Sequence, residues 1–353
     1  MKRRDWLTAV AAAMALGAPR ARSVAQAGVS RAPCLTRGRV RWLVGWSPGG
    51  GYDAYSRLLE PYLEQALGVE IVIDNVPGAA GRVAAATLAR ARPDGRTLGI
   101  LDGPGLLWAA AMQEGNAVDL ARDFSILARL AGRQVLLAAG PRSRVTSLAE
   151  LLAVARNRRL VFASTAPGSV NFVSSAVVAH ILGIEVDFVV GYPGSREVAL
   201  AVLRGDADAT TLDVETLAGM VGRDGLAPLL ALGREDAPYA RLDSVPHLTS
   251  DGGVLARIGD AARAPGEVAA ALDAFLDLGR LVAGPRLPTA LEGCMRASAW
   301  TALNDPRFHA AAARAGRSLD LVSGERLTNA IPASRDAMRR VFPIAEAAAR
   351  RAR

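Results

Sequence analysis

The chain has 353 residues, of which 51% are hydrophobic, 22% charged and 5% aromatic. That is a globular balance, long enough for two domains with a core in each. Its net charge of +8 comes from 42 basic and 34 acidic residues, and Lys2 is the only lysine. A phosphate-loop lysine, a pyridoxal Schiff base and a lysine general base are therefore excluded from everything after position 2. His180, His247 and His309, with Cys34 and Cys294, are too widely spaced to form a zinc motif.

The N-terminus reads as an export leader. Lys2, Arg3 and Arg4 precede a short apolar run from Leu7 to Gly17, too short to span a bilayer. The string Arg3-Arg4-Asp5-Trp6-Leu7 resembles a twin-arginine signal, the other reading being a general secretory signal. Ala25-Gln26-Ala27 offers a peptidase site, so residues 1–27 are expected to be removed and the mature chain to start at Gly28. That chain carries +4, with its arginines scattered. It has no basic stripe interleaved with aromatics, so a nucleic-acid partner is not expected.

Strand and helix patterns then alternate. Val40–Trp46 reads as a strand and Asp53–Leu67 as an amphipathic helix. Ile71–Asp74 is a strand, Gly81–Arg90 a helix, and Thr97–Leu101, Ser125–Leu130 and Val135–Ala139 are strands. Ser147 and Glu150 form a capping box that opens a helix to about Asn157. Leu160–Ser164, Glu185–Val190, Ala207–Leu212 and Leu226–Leu232 are strands; Ser169–Leu182 and Ser195–Leu203 are helices. Asp251–Gly266 reads as a loop or insertion, and the chain beyond it as mainly helical. The alternation predicts an α/β protein with parallel sheets covered on both faces.

One loop concentrates the chemistry: Trp46-Ser47-Pro48-Gly49-Gly50-Gly51-Tyr52-Asp53, between the first strand and the first helix. Gly45-Trp46-Ser47-Pro48-Gly49 matches a nucleophile elbow. Pro48, however, has no N–H to give the oxyanion hole, which argues against a hydrolase. Gly49 to Ala54 also matches a dinucleotide fingerprint, with Asp74 about where a ribose-binding acid sits. Against that, Asp53 places a carboxylate in the helix turn that would face the pyrophosphate. The third reading is a binding loop for a small anion or polar ligand. The glycines admit a close ligand, the helix end offers N–H groups, and Trp46 and Tyr52 supply walls. A tight turn capped by Asp53 is the plainer alternative.

Several motifs resemble those of the extracytoplasmic solute-binding receptors of tripartite tricarboxylate transporters, the TctC or Bug receptors. The first is the Trp46–Arg57 segment. The second is Asp74-Asn75-Val76-Pro77-Gly78-Ala79-Ala80-Gly81, and the third Pro93-Asp94-Gly95-Arg96-Thr97-Leu98. A Gly-Ser turn follows at Ala166–Phe172, then Tyr192-Pro193-Gly194, Arg204–Asp208 and Val245-Pro246. Their order and spacing carry the resemblance over about Arg41 to Leu248. Three features depart from the family pattern: Asn171-Phe172 where a His is usual, Pro193 where Arg is common, and a long 251–280 region.

The resemblance implies a periplasmic binding protein of type II-like fold, two α/β domains with a ligand cleft between them. Residues 38–138 and 234–353 would form domain 1, and 139–233 domain 2. It implies a small, carboxylate-bearing ligand held largely by backbone N–H groups and waters. Trp46, Ser47, Gly50, Gly51, Tyr52, Asp53, Pro77 and Gly78 would line one side. Thr165, Gly168, Ser169, Asn171 and Tyr192 would line the other, with Asp213 a further cleft candidate or a simple turn acid. It implies a monomer that passes its ligand to membrane permease subunits, with no cofactor, no metal and no catalysis. An exported NAD(P)- or flavin-dependent oxidoreductase using the Gly49–Gly51 loop is the alternative. Both cysteines survive leader removal into an oxidising compartment, leaving open either a Cys34–Cys294 disulfide or two free thiols.

Overall fold

The structure is a computed structural model, and residues 34–112, 118–222, 225–233, 245–249, 253–255 and 265–352 are described. The leader with its cleavage site, and most of 251–266, lie outside them. In the first part of the chain run β1 (Arg39–Val44), α1 (Gly51–Leu67), β2 (Glu70–Asn75), α2 (Arg82–Ala89), β3 (Thr97–Asp102), α3 (Gly103–Ala111) and β4 (Phe124–Ala131). The middle part holds β5 (Val135–Ala139), α4 (Leu148–Ala155), β6 (Leu160–Ala163), α5 (Val170–Ile181), β7 (Val186–Val189), α6 (Ser195–Arg204), β8 (Ala209–Asp213), α7 (Val214–Leu217) and β9 (Ala227–Leu232). The last part holds α8 (Pro265–Asp277), β10 (Arg280–Pro285), α9 (Thr289–Leu303), α10 (Pro306–Arg314), β11 (Val322–Ser323) and α11 (Gly324–Ala349).

The strands form two sheets, ordered β11-β4-β10-β3-β1-β2 and β7-β6-β8-β5-β9. Both are mixed, which corrects the expectation of parallel sheets. β10 runs antiparallel between β3 and β4, and β5 antiparallel between β8 and β9. The short β11 is reversed as well, antiparallel to β4 at the sheet edge. β5 belongs to the second sheet, and residues 132–134 link the two sheets. β10, at the centre of the first sheet, lies in the stretch expected to be helical.

Helix α1 buries Tyr52, Tyr55, Leu59, Leu63 and Leu67, one stripe at helical spacing, against the first sheet. Helix α5 is buried on all sides, apart from His180 near its end. An all-round apolar helix needs cover on every face. The second lobe's sheet supplies part of it, and α8 and α11 the rest. Residues 265–349 therefore complete both lobes, and one continuous core runs through them. Cys34 and Cys294 are joined, with Cα atoms 5.6 Å apart, which tie the segment before β1 to α9.

Candidate functional site

The Gly loop leaves the end of β1 and turns into α1. Gly45 lies so close to the 78–81 turn that a Cβ on it would sit 2.6 Å from Gly81 Cα. Gly81 in turn lies under Trp46, where a Cβ would sit 2.6 Å from the indole Cη2. The turn is held in the left-handed region throughout, with φ of +144° at Gly78, +46° at Ala79, +54° at Ala80 and +86° at Gly81. Two alanines there carry backbone strain of about 1–2 kcal/mol each, of the sort that gathers at functional sites. Pro77 is exposed beside them, and Trp46 stacks on Tyr52 with ring centroids 3.6 Å apart. Ser47 and Gly51 are exposed and Gly50 is half-buried.

Asp53 does not cap the helix. The N-cap is Gly50. The Asp53 side chain, 3% exposed, turns back behind the loop. It accepts from Gly49 N–H at 2.9 Å, from Arg57 Nε and Nη2 at 2.9 and 3.0 Å, and from Asn75 Nδ2 at 3.1 Å. Asn75 Nδ2 also donates to the Trp46 carbonyl at 2.8 Å. Burial pushes the Asp53 carboxyl up, but these donors outweigh it and hold the group below the ordinary aspartate value. A depressed carboxyl stabilises the fold above its unfolded pKa. That contribution should fade only as pH falls below the usual aspartate range. Asp53→Asn should lower stability by about 1–2 kcal/mol at neutral pH, read from the denaturant midpoint. The difference from the parent should shrink towards pH 3.

On the second lobe, the β6–α5 turn is built around Asn171. Its Oδ1 accepts from Thr165 Oγ1 and from Phe172 N–H, both at 3.1 Å, and from Ser169 Oγ. Ser169 is the N-cap of α5 and accepts from Phe172 N–H. Because Phe172 N–H is a certain donor, the amide orientation is fixed and Nδ2 faces away from this set. Among the described residues, Asn171 Nδ2 is a buried donor with no partner. So is Trp108 Nε1, on α3 of the first lobe. The two lobes meet here. Gly168 has φ +79°, and a Cβ on it would sit 2.0 Å from Trp108 Nε1. Tyr192 is half-buried against the second lobe's core, and burial pushes its phenol up.

A third set of residues, mostly missed by sequence reasoning, lies where the lobes join. Arg133, in the link before β5, donates to Asp213 Oδ2 at 2.9 Å and to the Tyr52 hydroxyl at 2.8 Å. Asp102 Oδ1 is 3.4 Å from its Nη2. Arg280, opening β10, lies 3.4 Å from Asp213 and 3.6 Å from Glu215. Arg317 pairs with Glu215 at 3.0 Å, and the Tyr55 hydroxyl bonds Glu215 as well. Burial pushes the Glu215 carboxyl up, yet Arg280, Tyr55 and Arg317 outweigh it and keep it low. Three guanidinium groups face three carboxylates. The formal charges of these six groups cancel within the protein. Asp213 is thus no simple turn acid. Arg133 could have been suspected as a charge caught between two apolar strands, and Arg280 as one opening the apolar run Leu281–Ala283.

The dinucleotide reading needs Asp74 at the end of β2 for a ribose. Asp74 instead accepts from Arg41 Nε at 2.7 Å.

The model of the tripartite tricarboxylate transporter family receptor matches residues 56–258. A UPF0065 protein of Bordetella bronchiseptica is 30% identical over 132 residues, 37% of this chain and 39% of that one. Another from Pseudomonas sp. strain P51 is 28% identical over 171 residues, 48% of this chain and 50% of that one. The chain thus spans about half the length of these curated relatives or less. Among solved structures, an R. palustris protein with adipate has a TM-score of 0.69 at 22% identity, covering 88% of this chain and 97% of its own. MatC of Rhodopseudomonas palustris with bound malate has 0.63 at 19%, covering 85% and 98%. The periplasmic binding protein BugD has 0.65 at 17%, covering 90% and 99%. These likenesses give the two-lobed fold of periplasmic binding proteins. The family match covers more than half of the chain, which therefore belongs to the tripartite tricarboxylate transporter receptor family.

Proposed function

We propose that this protein is a periplasmic receptor that captures a small carboxylate between its lobes and hands it, unchanged, to membrane permease subunits. The observation that carries the reading is the pair of buried, unpartnered donors on opposite lobes, Trp108 Nε1 against Gly168 and Asn171 Nδ2 three residues further along the same β6–α5 turn. A buried donor without an acceptor costs about 1–3 kcal/mol, and a carboxylate oxygen offers the acceptor. The first turn of α5 adds N–H groups that no helix can satisfy internally, at the end where the dipole favours an anion. The Trp46–Tyr52 stack and the Gly50–Gly51 backbone would line the other side of the cleft. Neighbours in the same fold carry adipate and malate. The disulfide agrees with an oxidising compartment.

A thermal-shift screen of adipate, malate and related acids tests this. A ligand at 100 times its Kd should raise stability by about 2.7 kcal/mol and be recovered chemically intact by mass spectrometry. Conversion of the ligand to a product would overturn the reading. Asn171→Asp keeps the acceptor that Thr165 and Phe172 need, and replaces the donor with a negative oxygen. It should weaken carboxylate binding by about tenfold or more. Unchanged affinity would remove Asn171 from the site.

A further inference from the structure

Among the described residues, two segments that join the lobes each bring a buried arginine to the junction: Arg133 on the outward link and Arg280 at the start of β10 on the return. Arg133 holds one group from each lobe. One Nη donates to Asp213 at the end of β8, in the second lobe. The other donates to the Tyr52 hydroxyl, in the first. Tyr52 is the residue on which Trp46 stacks, and the Arg280 guanidinium lies 5.6 Å from the Tyr52 ring centre. The wall of the Gly loop is therefore bonded, through one side chain in the link, to the far lobe.

We propose that Arg133 is a positioning residue for ligand capture, coupling the Trp46–Tyr52 wall to the angle between the lobes. This rests on the reading of the cleft as the ligand site. A guanidinium is a rigid planar fork, so its two arms cannot move independently. A change of lobe angle that shifts Asp213 must carry Tyr52 with it or break a buried charged bond. Breaking such a bond leaves an uncompensated buried group, so the junction favours a few discrete arrangements over a continuum. Lysine, a point charge without the fork, cannot serve both partners with this geometry.

The test needs no ligand, so its outcome is separate from that of the binding screen. Spin labels on Arg90→Cys in the first lobe and Arg196→Cys in the second, both exposed positions, report the lobe-to-lobe distance in the full chain. Near-ultraviolet circular dichroism, with Trp46→Phe as reference, reports the stacked pair. Arg133→Lys should broaden the distance distribution beyond its parent width and lose the part of the aromatic signal that Trp46→Phe removes. Asp213→Ala, which removes the acceptor of the far arm together with its 3.4 Å contact to Arg280 and leaves Asp102 beside Arg133, should do the same if Arg133→Lys folds poorly. A folded variant with a lowered melting temperature but the parent distribution and aromatic signal would reduce Arg133 to a structural role. A change in one readout without the other would overturn the coupling.

Discussion

Gly168→Ala should lower stability by about 2–4 kcal/mol, one of the largest effects of any single methyl group in this protein. Two terms add. Residue 168 sits at φ +79°, where an L side chain costs about 1–2 kcal/mol. The new Cβ would also sit 2.0 Å from Trp108 Nε1 and 2.1 Å from Cδ1, on a ring that is fully buried and packed against Phe342. The ring cannot retreat without disturbing the core, so the lobes must part. Gly168→Ala with Trp108→Leu separates the terms: the shorter side chain relieves the clash and leaves the backbone strain. Chemical denaturation should find the double variant closer to Trp108→Leu alone than the single alanine is to the parent. Equal gaps would mean that the contact is not what closes the lobes.

Removing the disulfide should cost about 4 kcal/mol, because it closes a loop of 260 residues and long loops lose most entropy when linked. Cys294→Ser, or reduction of the parent, should shift the guanidinium midpoint accordingly. The link joins the segment before β1 to α9, which packs on α1 and β4. Its loss should therefore loosen the first lobe first, with amide exchange rising around 34–40 before it rises in β6 or β8. A stability change below about 1 kcal/mol would mean that packing alone holds that edge.

The alternating pattern made most of the fold legible. Helix α1, strand β5 and helix α5 lie within a residue or two of where spacing and caps put them, because each has a clear apolar period and a Gly, Ser or Pro boundary. β10 escaped because its six residues begin with a charge and end in Gly284-Pro285, which read as a breaker between helices. Its strand state is imposed by β3 and β4 on either side, a tertiary cause that no local pattern carries. The reversal of β5 and β10 is equally a matter of tertiary pairing, which no local pattern carries.

The site divides in the same way. The Gly loop stood out by composition, and the Ser169 cap by its place before an apolar run. Asp53 was conspicuous, but its partners Gly49, Arg57 and Asn75 make it a support for the loop. Arg133 and Arg280 could not be singled out among so many scattered arginines. What distinguishes Arg133 is a partner 80 positions away, and only the folded chain brings Asp213 to it.

The sealed charge cluster at the junction has a consequence for the medium in which the protein works. The Debye length falls from about 10 Å at 0.1 M salt to about 3 Å at 1 M, so exposed pairs such as Arg39–Glu70 weaken as ions accumulate. Arg133, Arg280 and Glu215 are almost wholly out of reach of those ions, and together with Asp102, Asp213 and Arg317 they form a cluster whose charges cancel. The bonds that fix one lobe against the other are thus nearly indifferent to ionic strength, while the outer surface responds to it. In a compartment whose salt follows the surroundings, the geometry between the lobes would stay constant from dilute to brackish conditions.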